Sequence, residues 1–201
     1  DGSTHQSVED MALMRAIPNM TVLVPVDAVQ TRKMVRAMAG LAGPAYIRIN
    51  RNDLPVYTAD GDDFTVGRVY TLREGKDVAV FANGVMVSKA MEAAEILQAE
   101  GLSVKVLNIA TVKPLDREAV VAAARSCRAV VTAEEHSVVG GLGGAIAEAL
   151  RAIPLPLEFV GIQDEFGTSA SNYEELLVHY GLTAAAVADA CRRVIKTGQC
   201  V

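Results

Sequence analysis

A chain of 201 residues with a net charge of −5 and no cluster of lysine and arginine is a poor candidate for binding nucleic acid or an anionic membrane. Hydrophobic residues make up 51% of it but aromatics only 4%, so alanine, valine and leucine must carry the packing, as suits helices laid on a parallel sheet. No apolar run approaches a membrane span, and Cys127, Cys191 and Cys200 lie far apart without metal-ligand spacing, which points to a reduced, cytoplasmic setting.

Residues 1–6 read as a loop. Ser7 is placed to cap a helix, with Asp10 three residues on, that runs to Arg15 before Ile17-Pro18-Asn19 breaks it. Residues 21–24 form a short buried strand closed by Pro25. Asp27 then caps a second helix, with Val29, Met34, Val35 and Met38 at helical spacing, and residues 45–49 follow the Gly43-Pro44 turn as another strand. Two helices and two strands cannot cover a parallel sheet on both faces. Residues 1–52 are therefore expected to be the tail of an α/β domain whose first half lies elsewhere. The opening at Asp1, without methionine and inside a motif-like stretch, agrees with a fragment.

The acidic stretch 53–63 contains Pro and Gly, lacks periodicity and is the expected linker. From 64 to 201 strands alternate with helices. An edge strand is expected over 66–72 and buried strands over 78–82, 104–109, 129–133 and 157–162. Helices are expected over 86–100 and 114–126, from Ala145 to Leu150, over 173–180 and after Thr183. That alternation predicts a mainly parallel, three-layer α/β/α domain.

The stretch from Ala129 to Leu150 is its central crossover: an apolar strand, then Glu134, Glu135 and His136, then Gly140-Gly141-Leu142-Gly143-Gly144 opening a helix. The glycines could cradle a phosphate, but the dinucleotide spacing is absent and the acidic pair ahead of them would repel one. His136 could be oriented by its carboxylate neighbours for catalysis, although a histidine tying the turn to a neighbouring domain or subunit is the better reading. His179, late in a short helix, suits the negative end of the helix dipole. His5 sits in a loop ahead of a helix, where substrate-contacting groups concentrate. Arg51 directly follows a strand, where the carboxyl ends of strands bind ligands, and could clamp a phosphate or form a surface ion pair.

Several ordered motifs carry a resemblance. Asp1-Gly-Ser-Thr-His-Gln-Ser-Val-Glu-Asp with Leu13-Met-Arg-Ala-Ile-Pro-Asn-Met resembles the end of the pyrimidine-binding domain of transketolase-type thiamine diphosphate enzymes. Val112-Lys-Pro-Leu-Asp, Glu134-Glu-His-Ser-Val-Val-Gly-Gly-Leu-Gly, Phe166-Gly-Thr-Ser and Tyr180-Gly-Leu-Thr resemble landmarks of that family's C-terminal domain. The match covers nearly the whole chain and is closest to the separate C-terminal section of split transketolases. It implies a pyrimidine-domain remnant over 1–52 and a C-terminal domain over 64–201. His5 would lie beside the reactive carbon of the cofactor, Asp1 would contact a substrate hydroxyl and Arg51 would bind the sugar phosphate. The glutamate and the stacked aromatic that serve the aminopyrimidine ring are expected upstream of Asp1. Thiamine diphosphate and a divalent metal (Mg) would be held chiefly by a separate diphosphate-binding subunit, so this chain alone is expected to bind no cofactor and to be inactive.

The resemblance further implies homodimerisation through the C-terminal domain and transfer of a two-carbon ketol unit between sugar phosphates. A deoxyxylulose-phosphate synthase, the β subunit of a 2-oxoacid dehydrogenase and a non-catalytic dimerisation module are the alternatives.

Overall fold

The computed structural model describes residues 3–197. A single 3-10 turn, Ser3–His5, leads to α1 (Asp10–Ala16), β1 (Thr21–Leu23), α2 (Ala28–Met38) and β2 (Ala45–Ile47). α1 starts later than Ser7 would set it. Its N-cap is Glu9, which makes no side-chain capping bond, and the Ser7 carbonyl instead accepts from Arg48 Nη2 at 2.9 Å. Lys113 Nζ closes the other end by donating to the Arg15 and Ile17 carbonyls at 2.8 and 2.6 Å, which suits a cation at a helix C-terminus.

The larger unit runs β3 (Tyr70–Arg73), β4 (Val78–Ala82), α3 (Met86–Ala99), β5 (Val104–Asn108), β6 (Thr111–Lys113), α4 (Arg117–Arg125), β7 (Ala129–Ser137), α5 (Leu142–Leu150), β8 (Leu157–Ile162), α6 (Tyr173–His179) and α7 (Ala184–Thr197). Its five-stranded sheet has the order β3-β5-β4-β7-β8. All neighbours are parallel except the edge strand β3, which is antiparallel to β5. Alternation along each strand divides the core in two. Val78, Val80 and Ala82 of β4 join α3 and α7 on one face, while Ala79 and Phe81 join α4 and α5 on the other. These are the three layers expected of the alternating pattern. Each buried Val or Leu on the two faces contributes about 1.5–3 kcal/mol.

Three further features differ from the sequence reading. β7 continues past its apolar part through Glu134, Glu135 and His136, because each of these side chains finds polar partners. The edge strand starts at Tyr70 rather than Val66; Phe64 and Val66 turn inward instead, against Leu23 and Met34. The third is β6, absent from the pattern because three residues are too few to show a period. It pairs antiparallel with β1, giving a second sheet of order β2-β1-β6. Met11, Val22, Val112 and Ala145 form a shared core where α1 and β1 meet β6 and α5.

Residues 53–63 contain no helix or strand. They are nevertheless strapped to α2 through one buried carboxylate. Asp27 Oδ1 accepts from Gln30 N–H at 2.7 Å as the helix cap, and Oδ2 accepts from the Tyr57 and Thr58 amides, both at 2.8 Å. Replacing Asp27 with Ala removes a cap and leaves two amides without acceptors, an expected loss of about 2–4 kcal/mol. Urea unfolding at neutral pH checks this, and a loss below about 0.5 kcal/mol, the usual surface effect, would contradict it.

Candidate active site

The sheet order reverses on either side of β4: the chain moves from β4 to β5 on one flank and returns to β7 on the other. Ligands of open α/β sheets bind outside the carboxyl ends of strands at such a switch point. A cleft of about 770 Å³ opens there, between the ends of β4, β7 and β8 and the segment that follows β2. His5 and Arg51 both line it. Asp1 lies outside the described residues, as does Cys200; Cys127 and Cys191 are buried free thiols.

His5 is exposed at the cleft and its Nδ1 lies 2.9 Å from Thr4 Oγ1. Its Nε2 has no hydrogen bond among the described residues. Behind it stands a network the sequence did not reveal. Arg48 Nε meets Asp10 Oδ2 and Arg48 Nη1 meets Glu135 Oε2, both at 3.3 Å. Tyr46 donates to Asp10 Oδ2 at 2.6 Å, and burial followed by that carboxylate pushes its hydroxyl up to about 12. Tyr173 donates to Glu135 Oε1 at 2.7 Å and accepts from Asn50 Nδ2 at 2.8 Å. Burial and the Glu135 charge raise the Tyr173 pKa, so the phenol stays a neutral donor at any physiological pH. Asp10, Tyr46, Arg48, Asn50, Glu135 and Tyr173 come from four separate chain segments, which no local spacing could have grouped.

The adjacent carboxylate faces the other way, as strand alternation requires. Glu134 is buried and accepts from the Leu142 and Gly143 amides at 2.6 and 2.7 Å. It thereby fills the N-terminus of α5, where a phosphate would have sat. A Cβ on Gly141 would come within 2.1 Å of Glu134 Oε2, so the carboxylate sits in space that only glycine leaves open. His136 is also fully buried. Its Nε2 accepts from the Ala12 amide at 3.3 Å and its Nδ1 lies 2.7 Å from the Ser137 carbonyl, which assigns the proton to Nδ1. Burial lowers its pKa and keeps the ring neutral. It pins α1 to the end of β7 and does not reach the cleft. His179 is exposed and packs edge-on against Tyr180, with ring centroids 4.7 Å apart.

Two family profiles match this chain: the transketolase C-terminal domain over residues 67–187 and the transketolase pyrimidine-binding domain over residues 1–56. The chain belongs to the transketolase family.

Among its relatives, a 6-deoxy-6-sulfo-D-fructose transketolase subunit of Clostridium sp. strain MSTE9 is 45% identical over 198 residues, which is 98% of this chain and 61% of the relative. A putative transketolase C-terminal section of Methanocaldococcus jannaschii is 40% identical over 192 residues, covering 94% of this chain and 60% of that protein. A solved structure described as a split gene transketolase, inactive beta4 tetramer, superposes with a TM-score of 0.92 at 48% identity, over 97% of this chain and 64% of that one. The chain thus spans about three-fifths of the length of these transketolase relatives.

The cleft lies where the two transketolase profiles meet in space. His5 and Arg51 come from the pyrimidine-binding match, and Glu135 and Tyr173 from the C-terminal match. Among the described residues no group of three His, Cys, Asp or Glu side chains could hold a metal ion, and no helix is long and apolar enough to cross a membrane.

Glu134 gives this transketolase domain a pH signature. Burial outweighs the two amide bonds and the nearby Arg15 and Arg48 charges, raising its pKa to about 7. A carboxyl raised in the folded state favours folding most at pH below its unfolded value of about 4.3, and that contribution disappears as pH rises through 7. Urea unfolding should therefore show lower stability at pH 8.5 than at pH 5.5 by a few kcal/mol at most. The difference should shrink in Glu134→Gln, and an equal difference in both proteins would refute the assignment.

Proposed function

We propose that this chain carries the substrate-facing part of a split transketolase, which moves a two-carbon ketol unit between sugar phosphates together with a diphosphate-binding partner subunit. The observation that supports it best is the placing of His5 and Arg51 in one cleft at the carboxyl edge of the sheet, on a fold of this family. The donor set suits a polyhydroxylated anion: an imidazole, a guanidinium and the amide and hydroxyl groups of Asn52 and Ser171 around one opening. The Clostridium relative's name carries a sugar with a terminal sulfonate, an anion with the same needs.

Thiamine diphosphate, with its divalent metal, would be held chiefly by the partner subunit and would supply the electron sink for breaking and making the carbon–carbon bond. His5 would lie beside its reactive carbon, with Nε2 positioned to hold or pass a proton at a substrate oxygen. Arg51 would orient the far end of the sugar through its phosphate, and Asp1 would contact a substrate hydroxyl. Arg48 and Glu135, already satisfied by each other and their neighbours, form the wall behind these groups. Alone, the chain would bind no cofactor and be inactive; the solved relative, an inactive beta4 tetramer, supports that reading. We further assign homodimerisation to the C-terminal unit and a cytoplasmic setting to the protein.

In the assembled enzyme, His5→Ala is expected to lower kcat by roughly 10²- to 10⁴-fold. Arg51→Ala is expected to raise KM by about tenfold, the worth of one charge-assisted bond, for sugars with a terminal phosphate or sulfonate and to change little for an uncharged analogue. Steady-state ketol-transfer kinetics separate the two, and full activity of the His5 variant would rule this reading out.

A further inference from the structure

The loop between β8 and α6 crosses to the His5 turn and grips it at three points. Gln6 Nε2 donates to the Thr168 carbonyl at 2.8 Å. The Ser3 amide donates to Ser169 Oγ at 3.1 Å. Between them Gly167 faces the Gln6 side chain so closely that a Cβ there would lie 2.7 Å from Gln6 Oε1. That oxygen is buried and has no hydrogen-bond partner among the described residues, and it occupies the space that Gly167 leaves open by having no side chain.

The loop can act as a support because it is fixed at both ends. Asp164, with φ at 48°, turns the chain off β8, and Tyr180 donates from the far end of α6 to the Phe166 carbonyl at 2.8 Å. Asn172 caps α6 and the Ser171 amide donates to Glu175 Oε2 at 2.9 Å. Burial is not what sets this shape, since the Phe166 ring is 93% exposed. Polar contacts set it, and they converge on the residues either side of His5.

We propose that Gln6 and the Gly167–Ser169 segment are positioning residues for catalysis: the C-terminal unit clamps the His5 turn and thereby sets the imidazole against the substrate. The proposal rests on the reading of His5 as catalytic. It gives the C-terminal unit a part in the active site beyond assembly. A 1 Å error in the placing of a reacting group can cost on the order of 10²-fold in rate, so a clamp of this kind has a kinetic signature distinct from a stability effect.

The test uses Gln6→Ala, Gly167→Ala and Ser169→Ala in the assembled enzyme, with His5→Ala in parallel. Gly167 and Ser169 lie outside the core, so these variants should fold. Amide hydrogen exchange at residues 3–7 reads the clamp directly, and kcat and KM read its effect. The expected result is faster exchange confined to residues 3–7, kcat lowered by roughly 10- to 100-fold, and KM and the melting temperature nearly unchanged. Gln6→Ala and Gly167→Ala combined should be no worse than Gln6→Ala alone, because both remove the same contact.

Unaltered exchange at residues 3–7, or faster exchange with full kcat, would overturn the clamp. His5→Ala separates the causes: if it too retains full kcat, the reading of His5 has failed, and if it loses kcat while the clamp variants do not, only the positioning role has failed.

Discussion

Arg48 holds the molecule together where its two units meet. It follows β2, yet its guanidinium reaches the first residue of α1 (Asp10), the end of β7 (Glu135) and the Ser7 carbonyl just past the His5 turn. Its side chain is 18% exposed and those of Asp10 and Glu135 7% and 20%, so water screens the three charges poorly. Without the arginine two carboxylates would face each other in a confined space. Breaking a pair of this kind is costly mainly for the charge left behind, not for the attraction lost. Tyr46 and Asn50 donate to the same two oxygens that Arg48 meets, Asp10 Oδ2 and Glu135 Oε2, and Tyr173 donates to the other Glu135 oxygen. Only Asp10 Oδ1 has no partner among the described residues.

The second joint is made of backbone. β6 leaves the larger unit to pair with β1, and α1 lies on the glycine turn of α5, where Arg15 donates to the Gly140 and Gly141 carbonyls. His136 and Glu134 complete this contact from beneath, one accepting from α1 and the other filling the start of α5. The glycine cluster therefore serves a close approach between elements. Its anion-binding potential is spent on a residue of the same chain, which is why the sequence resembles a phosphate cradle and the structure does not contain one.

These joints give the cleft its character. His5 comes from a loop with few contacts of its own, and a loop is a poor platform for precise chemistry unless something rigid bears on it. Here the wall behind it is an ion-paired network and the side is the loop after β8. With His5 and Arg51 on one unit and Glu135, Tyr173 and the loop after β8 on the other, the geometry of the cleft depends on correct docking of the two.

Most of the secondary structure was legible in the residues. Val78 to Ala82 and the helix after Met86 could be read from apolar runs and periodicity because burial on a sheet imposes those patterns locally. Asp27 was legible as a cap for the same reason: it acts on an amide three residues away. The sequence alone also determined the family, since ordered motifs at fixed spacing survive without any coordinates. His5 and Arg51 were legible as candidates, one from its loop and motif and the other from following a strand.

Tertiary structure decided the rest. That Glu134 faces the glycines and Glu135 the cleft depends on how far β7 continues, which pairing with β8 settles. β6 exists only because β1 lies beside it. The Arg48 network and the grip of Thr168 on Gln6 join residues 36 to 162 positions apart. No periodicity encodes contacts of that range; they arise when separate elements are brought within hydrogen-bond distance by a core that the sequence specifies only as hydrophobic.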